Sequence, residues 1–321
     1  MHIPRKPLPR VTIDLRLAIV RFGLLMLILG GAADDHRKAV AADAPRPAVF
    51  ARENLVAWCI VPFDARRRGP VERAEMLQRL GITRFAYDWR AEHVPTFEQE
   101  FLELQRRGIE LFAFWDEHPA AFPLFQQHGL TPQIWKTCPS PQEPGGRSPV
   151  AAAADQLQPL VDRARQLGCR LGLYNHGGWG GEPRHLVAVC EHLRSRGENE
   201  HVGIVYNLHH GHEHLPDFAE SLALMQPYLL CLNLNGMNTR PEPKILPIGD
   251  GEHDPQILET ILASGYRGPI GLIGHRAELD AEECLLQNLR GLERLLERRR
   301  AAGDATGPSA PEDRATASPS S

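Results

Sequence analysis

The chain has no surplus of positive charge, no glycine-rich nucleotide loop, no closely spaced cysteines and no apolar run long enough to span a bilayer comfortably. Each absence excludes something. A formal net charge of −4 leaves no basic stripe to neutralise a phosphate backbone, which argues against a nucleic-acid partner. The run Arg66, Arg67, Arg68 reads as a solvated loop. The six cysteines are scattered along the chain and do not make the framework of a small disulfide-stapled domain. Cys59 and Cys231 lie inside apolar strand-like runs, where cysteine serves as a small buried hydrophobe. The apolar run Phe22 to Ala33 falls short of the ~20 residues a membrane-spanning helix needs.

That run follows Arg5, Lys6, Arg10 and Arg16 and precedes AVA at Ala39 to Ala41, a small-residue cleavage site. Residues 1–41 are therefore expected to be an export signal, with an uncleaved N-terminal anchor as the alternative. The mature protein is placed in the periplasm or outside the cell, with no stable membrane insertion once the signal is removed. Residues 301–321, rich in Ala, Ser, Pro and Gly and free of aromatics, read as a disordered tail. Residues 52–300 remain as one globular domain.

Within it, short apolar runs alternate with longer amphipathic segments. The runs are LVAWCIVPF, RFAYDW, ELFAFW, QIWKTC, RLGLYNH, VGIVYNLH, LLCLNLNG and PIGLIGH, each a plausible buried parallel strand. Between them lie helical segments such as PVERAEMLQRL, TFEQEFLELQRRG and HLVAVCEHLRSRG, the last two closing on Gly. Eight strand and helix units in ~250 residues predict an α/β fold, a (β/α)8 TIM barrel. A doubly wound open sheet is the runner-up, weakened because no glycine-rich loop follows the first strand.

In such a barrel the chemistry gathers at the C-terminal ends of the strands. Here these ends are polar: Asp88, Asp116, Glu117, Lys136, Asn175, His176, Asn207, His209, His210, Asn233, Asn235 and His275 all fall there. Strand parity sorts them. Cys231, Asn233 and Asn235 share one face and Leu230, Leu232 and Leu234 the other, so the two asparagines are expected in the barrel mouth, where a polar ligand would satisfy their amides. The same parity groups Gly172, Tyr174 and His176, and separately Gly203, Val205, Asn207 and His209; the inward glycines leave room. All five tryptophans lie in or just beyond strands, and Trp89, Trp115 and Trp179 are candidate platforms for a sugar ring.

At this point LGLYNHGGWGGEP, VGIVYNLHHGHEH, LLCLNLNGM, KILPIGDGEHD and GYRGPIGLIGH, in that order, resemble the second half of xylose isomerase-like barrels, the sugar phosphate isomerase and epimerase superfamily related to endonuclease IV. In that family the fifth strand ends Glu-Asn-His, the sixth carries Asp with His three residues later, the seventh His and the eighth Glu. The carboxylates and the seventh-strand His hold a divalent metal.

This chain departs from the pattern at the ligands. Tyr174 stands for the first Glu before a retained Asn175 and His176, and Asn207 for the Asp, with His210 retained. Asn233 stands for the seventh-strand His, and Ile273 or Gly274 for the last Glu. Groups without formal charge do not offset the desolvation of a divalent ion, so no metal or other cofactor is expected at the inherited position. A zinc or copper site rebuilt from His176, His209, His210 and His275 is the alternative for a divalent metal, since imidazole suits both. His212 and His214 are expected to be satisfied by neighbours in the following loop.

The resemblance implies a small carbohydrate or polyhydroxy compound as partner and, for an enzyme, isomerisation or epimerisation through an enediol-like intermediate. His176 and His210 are the leading acid–base candidates because imidazole titrates near neutral pH. Lys136 is a third candidate, as anion ligand or Schiff-base former, against a salt-bridged structural role. Tyr174, Asn175, Asn207, His209, Asn233, Asn235 and His275 would orient hydroxyls. Asp88, Asp116 and Glu117 offer acid–base function or helix caps, and Glu182 a helix-start charge. The competing class is a non-catalytic carbohydrate-binding barrel; a metal-dependent phosphodiesterase or nuclease is the weakest reading, because that chemistry needs several metals.

Overall fold

A computed structural model describes residues 46–141 and 146–305 of the chain. The expected export segment at 1–41 and the tail beyond 305 lie outside the described residues. Eight parallel strands close into a barrel in sequence order. They are β1 Leu55–Trp58, β2 Arg84–Tyr87, β3 Glu110–Trp115, β4 Gln133–Thr137, β5 Arg170–Tyr174, β6 Val202–Asn207, β7 Leu229–Leu234 and β8 Ile270–Ile273. Each is followed by a helix: α1 Pro70–Arg79, α2 Phe97–Arg106, α3 Ala121–Gln127, α4 Pro149–Gln166, α5 Pro183–Ser195, α6 Phe218–Met225, α7 Asp254–Ala263 and α8 Ala281–Ala305. Among the described residues no helix is long and apolar enough to cross a membrane.

Local sequence explains the helix boundaries. α1, α4 and α5 each begin on a proline, whose missing N–H costs nothing at that position. Ser148 Oγ accepts the Ala151 N–H and caps α4. α2 and α5 stop just before Gly108 and Gly197, which take φ of +65° and +153°. α8 continues through Ala305, so the polar tail read from composition at Ala301 begins inside that helix.

Two layers of apolar side chains follow from strand parity. Val56 and Trp58 of β1, Ala86 of β2, Trp135 of β4, Tyr174 of β5, Val205 of β6, Cys231 of β7 and Ile273 of β8 fill the barrel interior. Their sequence neighbours Ala57, Phe85, Tyr87, Ile134, Leu173, Ile204, Tyr206, Leu232 and Leu272 face the helices. The expected division of the β7 leucines holds for Leu232 and Leu234, whereas Leu230 packs with the inner cluster.

The room left by inward glycines is occupied. A Cβ on Gly172 would come within 2.5 Å of Val205 Cγ2 and 3.0 Å of Trp135 Cδ1. Glycine is what lets an indole lie inside an eight-stranded barrel, whose lumen is just wide enough for side chains to fill. All six cysteines are buried and free. Outside the barrel Arg73 of α1 and Glu100 of α2 form a fully buried ion pair. Removing either partner would strand a charge, at about 3–5 kcal/mol.

Candidate functional site

The strands end earlier than their apolar runs, so most polar strand-end residues belong to the first turns of the βα loops. There they line a cavity of about 210 Å³ at the C-terminal mouth, walled by Trp58, Cys59, Phe63, Asp88, Arg90, Trp115, Tyr174, His176, His209, His210 and His275. A larger cavity of about 780 Å³ lies between the β1–α1 and β2–α2 loops. The acidic and basic groups beside it are matched to one another: Arg68 is paired with Asp64, Asp280 and Glu282, and Arg73 with Glu100. The smaller cavity is the candidate site because its polar groups are less fully matched.

Four histidines gather there. His209 and His210 meet Nε2 to Nε2 at 2.9 Å. The His176 and His210 rings lie 4.4 Å apart, those of His209 and His275 5.4 Å, and Phe63 packs on His275 at 3.7 Å. Burial lowers the His209 pKa to about 2 and that of His210 to about 3, aided by neighbouring rings and by Lys244. Burial, with Arg90 and Lys244, lowers His275 to about 4. These three imidazoles are neutral at neutral pH. His210 therefore loses the property that recommended it as an acid–base group, while His209 Nδ1 is buried with no partner. His176 is the exposed member of the group.

Asp88 faces them across the mouth. It has the inward parity of Ala86, is 2% exposed, and accepts the Val61 N–H on Oδ1 at 3.2 Å. Its Oδ2 is buried without a partner. Burial raises its pKa to about 7 against the pull of Arg90. Arg90 donates to the carbonyls of Asp88 and Trp89 and lies 5.8 Å from the Phe63 ring centroid. Cys59 adopts φ +57°, a conformation uncommon away from glycine, and burial pushes its thiol pKa well up. Asp88 was legible only as one strand-end carboxylate among several, yet the alternation Ala86, Asp88 already pointed it inward; Arg90, Phe63 and Cys59 carry no such signal.

The remaining sequence candidates divide. Tyr174 is buried in the barrel, its hydroxyl accepting from Trp58 Nε1 at 3.3 Å and from Asn207 Nδ2. Burial raises its pKa well above the usual phenol value, so the proton stays. Asn175 turns away from the mouth and extends the ladder, donating to Asn207 O at 3.0 Å and accepting Asn207 N–H at 2.7 Å. Asn207 Oδ1 accepts the His209 N–H. Asn233 is buried with Nδ2 unpartnered. The Asn235 amide donates to Gly236 O and Lys244 O in the loop after β7, leaving Oδ1 unpartnered.

Lys136 has the outward parity of Ile134 and binds Asp116 Oδ1 at 2.5 Å and Glu117 Oε1 at 3.2 Å. Burial pulls its pKa down, but the two carboxylates outweigh it and leave it raised. Ion-paired and outside the residues that wall the cavity, Lys136 has the geometry of the salt-bridged structural role. Of the aromatic candidates, Trp115 reaches the mouth, 4.8 Å from Tyr174. Trp89 stacks on Phe114 outside the barrel, and Trp179 on His185 at 4.3 Å. His212 binds Asn238 O, and His214 sits between Glu182 and Asp217, so both are satisfied by neighbours, as expected.

The donor set at the positions that correspond to the family's metal ligands does not fit a divalent ion. Its phenol and first amide are bonded to each other, and the eighth strand offers Ile273 and Gly274. The glycine-rich segment before α7 is architectural: Asp254 accepts the N–H groups of Met237, Gly249 and Gly251. Nor do the four histidines make a ready cage. Among the described residues no three His, Cys, Asp or Glu side chains come together to hold a metal.

No family model matches the chain, and no curated protein does. Solved structures do. One is the IOLI protein with a bound zinc atom, at 13% identity over 76% of this chain and 98% of that one, TM-score 0.60. Another is 3-keto-D-glucoside 4-epimerase, YcjR, from E. coli, at 15% over 76% and 98%, TM-score 0.52. A third is a xylose isomerase-like TIM barrel protein from Mycobacterium smegmatis in complex with magnesium, at 15% over 80% and 99%, TM-score 0.50. The fold is that of the xylose isomerase-like barrels, as the motifs implied; at these identities the likeness speaks for fold alone.

Proposed function

We propose that the barrel mouth binds a small carbohydrate or related polyhydroxy carbonyl compound and interconverts it with an isomer or epimer by proton transfer, without a divalent ion at the inherited position. The observation that carries this reading is the pairing, around one cavity, of neutral imidazoles with a buried carboxyl that titrates near neutral pH. Neutral imidazoles hydrogen-bond hydroxyl and carbonyl oxygens, and a carboxyl near pKa 7 exchanges protons at working pH. At about 210 Å³ the cavity lies below the ~300–1,000 Å³ of most ligand pockets, which suits a compound of few non-hydrogen atoms. Trp115 and Phe63 offer apolar faces beside the polar wall. The sugar epimerase among the structural neighbours is consistent with this class.

A second reading, a carbohydrate binder without chemistry, is favoured by the closed Tyr174–Asn207–Trp58 network, which fills the inherited metal position with hydrogen bonds of its own. One screen separates the two. Purified protein is tested against aldoses and ketoses of three to six carbons for thermal stabilisation and, separately, for turnover. Stabilisation with turnover supports the isomerase class, stabilisation alone the binder, and neither overturns both.

A further inference from the structure

Charge in the mouth is unbalanced. Arg90 lines the cavity and is exposed. Among the described residues no carboxylate pairs with its guanidinium, which spends Nη1 on the carbonyls of Asp88 and Trp89. Lys244, in the loop after β7, adds a second cation whose field reaches His209, His210 and His275. Of the acids, Asp88 stands in the cavity wall, and Glu278 acts on His275 less strongly than Arg90 and Lys244 do.

The polar atoms left over complement a carboxylate. Asp88 Oδ1 already accepts the Val61 N–H, so a proton on this carboxyl sits on Oδ2, which is buried without a partner. Protonated, Oδ2 is a donor with nothing in the protein to donate to. His209 Nδ1 is a second buried, unpartnered atom among the residues of the same wall. Resting on the reading of the mouth as a site for a polyhydroxy compound, we infer that its ligand carries a carboxylate, held between the Arg90 guanidinium and the protonated Asp88 carboxyl, so that ligand and proton bind together.

A planar guanidinium matches the two oxygens of a carboxylate, and a neutral carboxyl donating to a carboxylate makes a strong O–H···O⁻ bond. Two carboxyl groups sharing one proton avoid the repulsion that two ionised ones would meet. Burial already holds the Asp88 pKa at about 7, and an arriving anion raises it further. The proton comes from solvent, forms the O–H bond on Oδ2 and departs with the ligand; no bond within the ligand is made or broken. The groups facing Asp88 are Arg90 beyond β2, Arg73 of α1, Cys59 beyond β1, Tyr87 on its own strand and Tyr174 of β5, with His176, His209, His210 and His275 in the same cavity. Burial keeps Cys59 and the two tyrosines protonated and leaves His209, His210 and His275 neutral. A cavity of about 210 Å³ also favours a flat carboxylate over a tetrahedral phosphate beside a polyol.

The test uses the full chain and pairs that differ by one carboxylate: D-glucuronate against D-glucose, D-galacturonate against D-galactose and D-glycerate against glycerol, with glycerol 3-phosphate as the phosphate probe. Thermal shift ranks them, and titration calorimetry in two buffers of different protonation enthalpy counts protons. At least one acid is expected to bind about 10–100-fold tighter than its neutral partner, as hydrogen bonds to a charged group allow. Its affinity should fall about tenfold per pH unit above about 7, with uptake approaching roughly one proton per ligand at pH 8. Asp88→Asn keeps an oxygen for the Val61 N–H and should bind the acid without proton uptake, its affinity flat from pH 6 to 9. Arg90→Gln, whose melt without ligand reports its fold, should bind the acid no tighter than the neutral partner, and Arg90→Lys should recover part of the preference. Neutral partners that bind as tightly as the acids, glycerol 3-phosphate binding tighter than glycerate, or proton uptake that persists in Asp88→Asn overturns the inference while leaving the proposed function standing. A protein stabilised neither by these compounds nor by the aldoses and ketoses of the first screen overturns the proposed function and this inference with it.

Discussion

Replacing Tyr174 by Phe removes one oxygen and strands two donors. Trp58 Nε1 and Asn207 Nδ2 both give their hydrogens to that hydroxyl. Tyr174 and Trp58 are each 2% exposed and Asn207 is 0% exposed, so bulk water does not take over as acceptor. A buried donor left unpaired costs about 1–3 kcal/mol, and with partial relaxation the two together should cost about 2–4 kcal/mol. For a domain of this size roughly 2–4 °C of melting temperature follows each kcal/mol, so Tm should fall by roughly 4–16 °C. Calorimetric melts of both proteins at pH 7.5 read this directly. The double variant Tyr174→Phe with Asn207→Leu should cost less than the sum of the single changes by about 1 kcal/mol, because the phenylalanine no longer faces an unmet amide. A Phe variant melting within about 1 °C of the wild type would refute the reasoning and return Tyr174 to the role of ligand-facing hydroxyl.

Other expectations follow from the same contacts. For His209, His210 and His275 the folded pKa lies below the unfolded one, so their stabilisation is present above about pH 6.5 and is lost as pH falls toward 4 and below. Asp88 has the opposite sign: its folded pKa is raised, so its contribution is present below about pH 4 and is lost as pH rises through 7. The three histidines outweigh the one carboxyl. Stability measured by urea titration should therefore decline from pH 6.5 to 4.5, and Asp88→Asn should steepen that decline while stabilising the protein at pH 8. A flat profile would contradict the buried neutral cluster. Gly291 of α8 lies so close to the loop after β7 that a Cβ would stand 1.5 Å from Ile248 O, a backbone atom. Gly291→Ala should cost at least the 1–3 kcal/mol of ordinary overpacking, about 2–12 °C in a melt. Lys136→Met should change stability by no more than about 1 kcal/mol, since its ion pairs are part-exposed, and leave sugar binding unaltered in a thermal-shift assay.

Parity carried most of what the sequence revealed. The alternation of Leu232, Asn233 and Leu234, or of Leu173, Tyr174, Asn175 and His176, sorts residues between barrel and helix layer, and each strand begins within a residue of its apolar run. The same rule already placed Lys136 outward with Ile134 and Asn175 outward with Leu173; chemical type had outweighed parity in naming them as site candidates. Burial depth was not legible in the same way. Tyr174 and Trp135 share inward parity with mouth residues, but the barrel lumen must be filled, and only packing shows that Trp58, Trp135 and Tyr174 fill it. The lowered pKa of His210 follows from its burial and then from His176, Lys244 and His275, brought beside it from the ends of other strands and the loop after β7, a long-range assembly that no local pattern records. Phe63 and Arg90 reach the cavity from irregular loops, where neither period of alternation applies.

The central claim is that this mouth works without a divalent ion. Purified protein should be assayed for Mn, Fe, Co, Ni, Cu and Zn by elemental mass spectrometry before and after chelator treatment, with sugar-induced thermal stabilisation read on the same samples. The account predicts substoichiometric metal throughout and stabilisation that survives the chelator unchanged. A near-stoichiometric metal that the chelator strips together with sugar binding, and that His176→Ala or His210→Ala fails to retain, would contradict it.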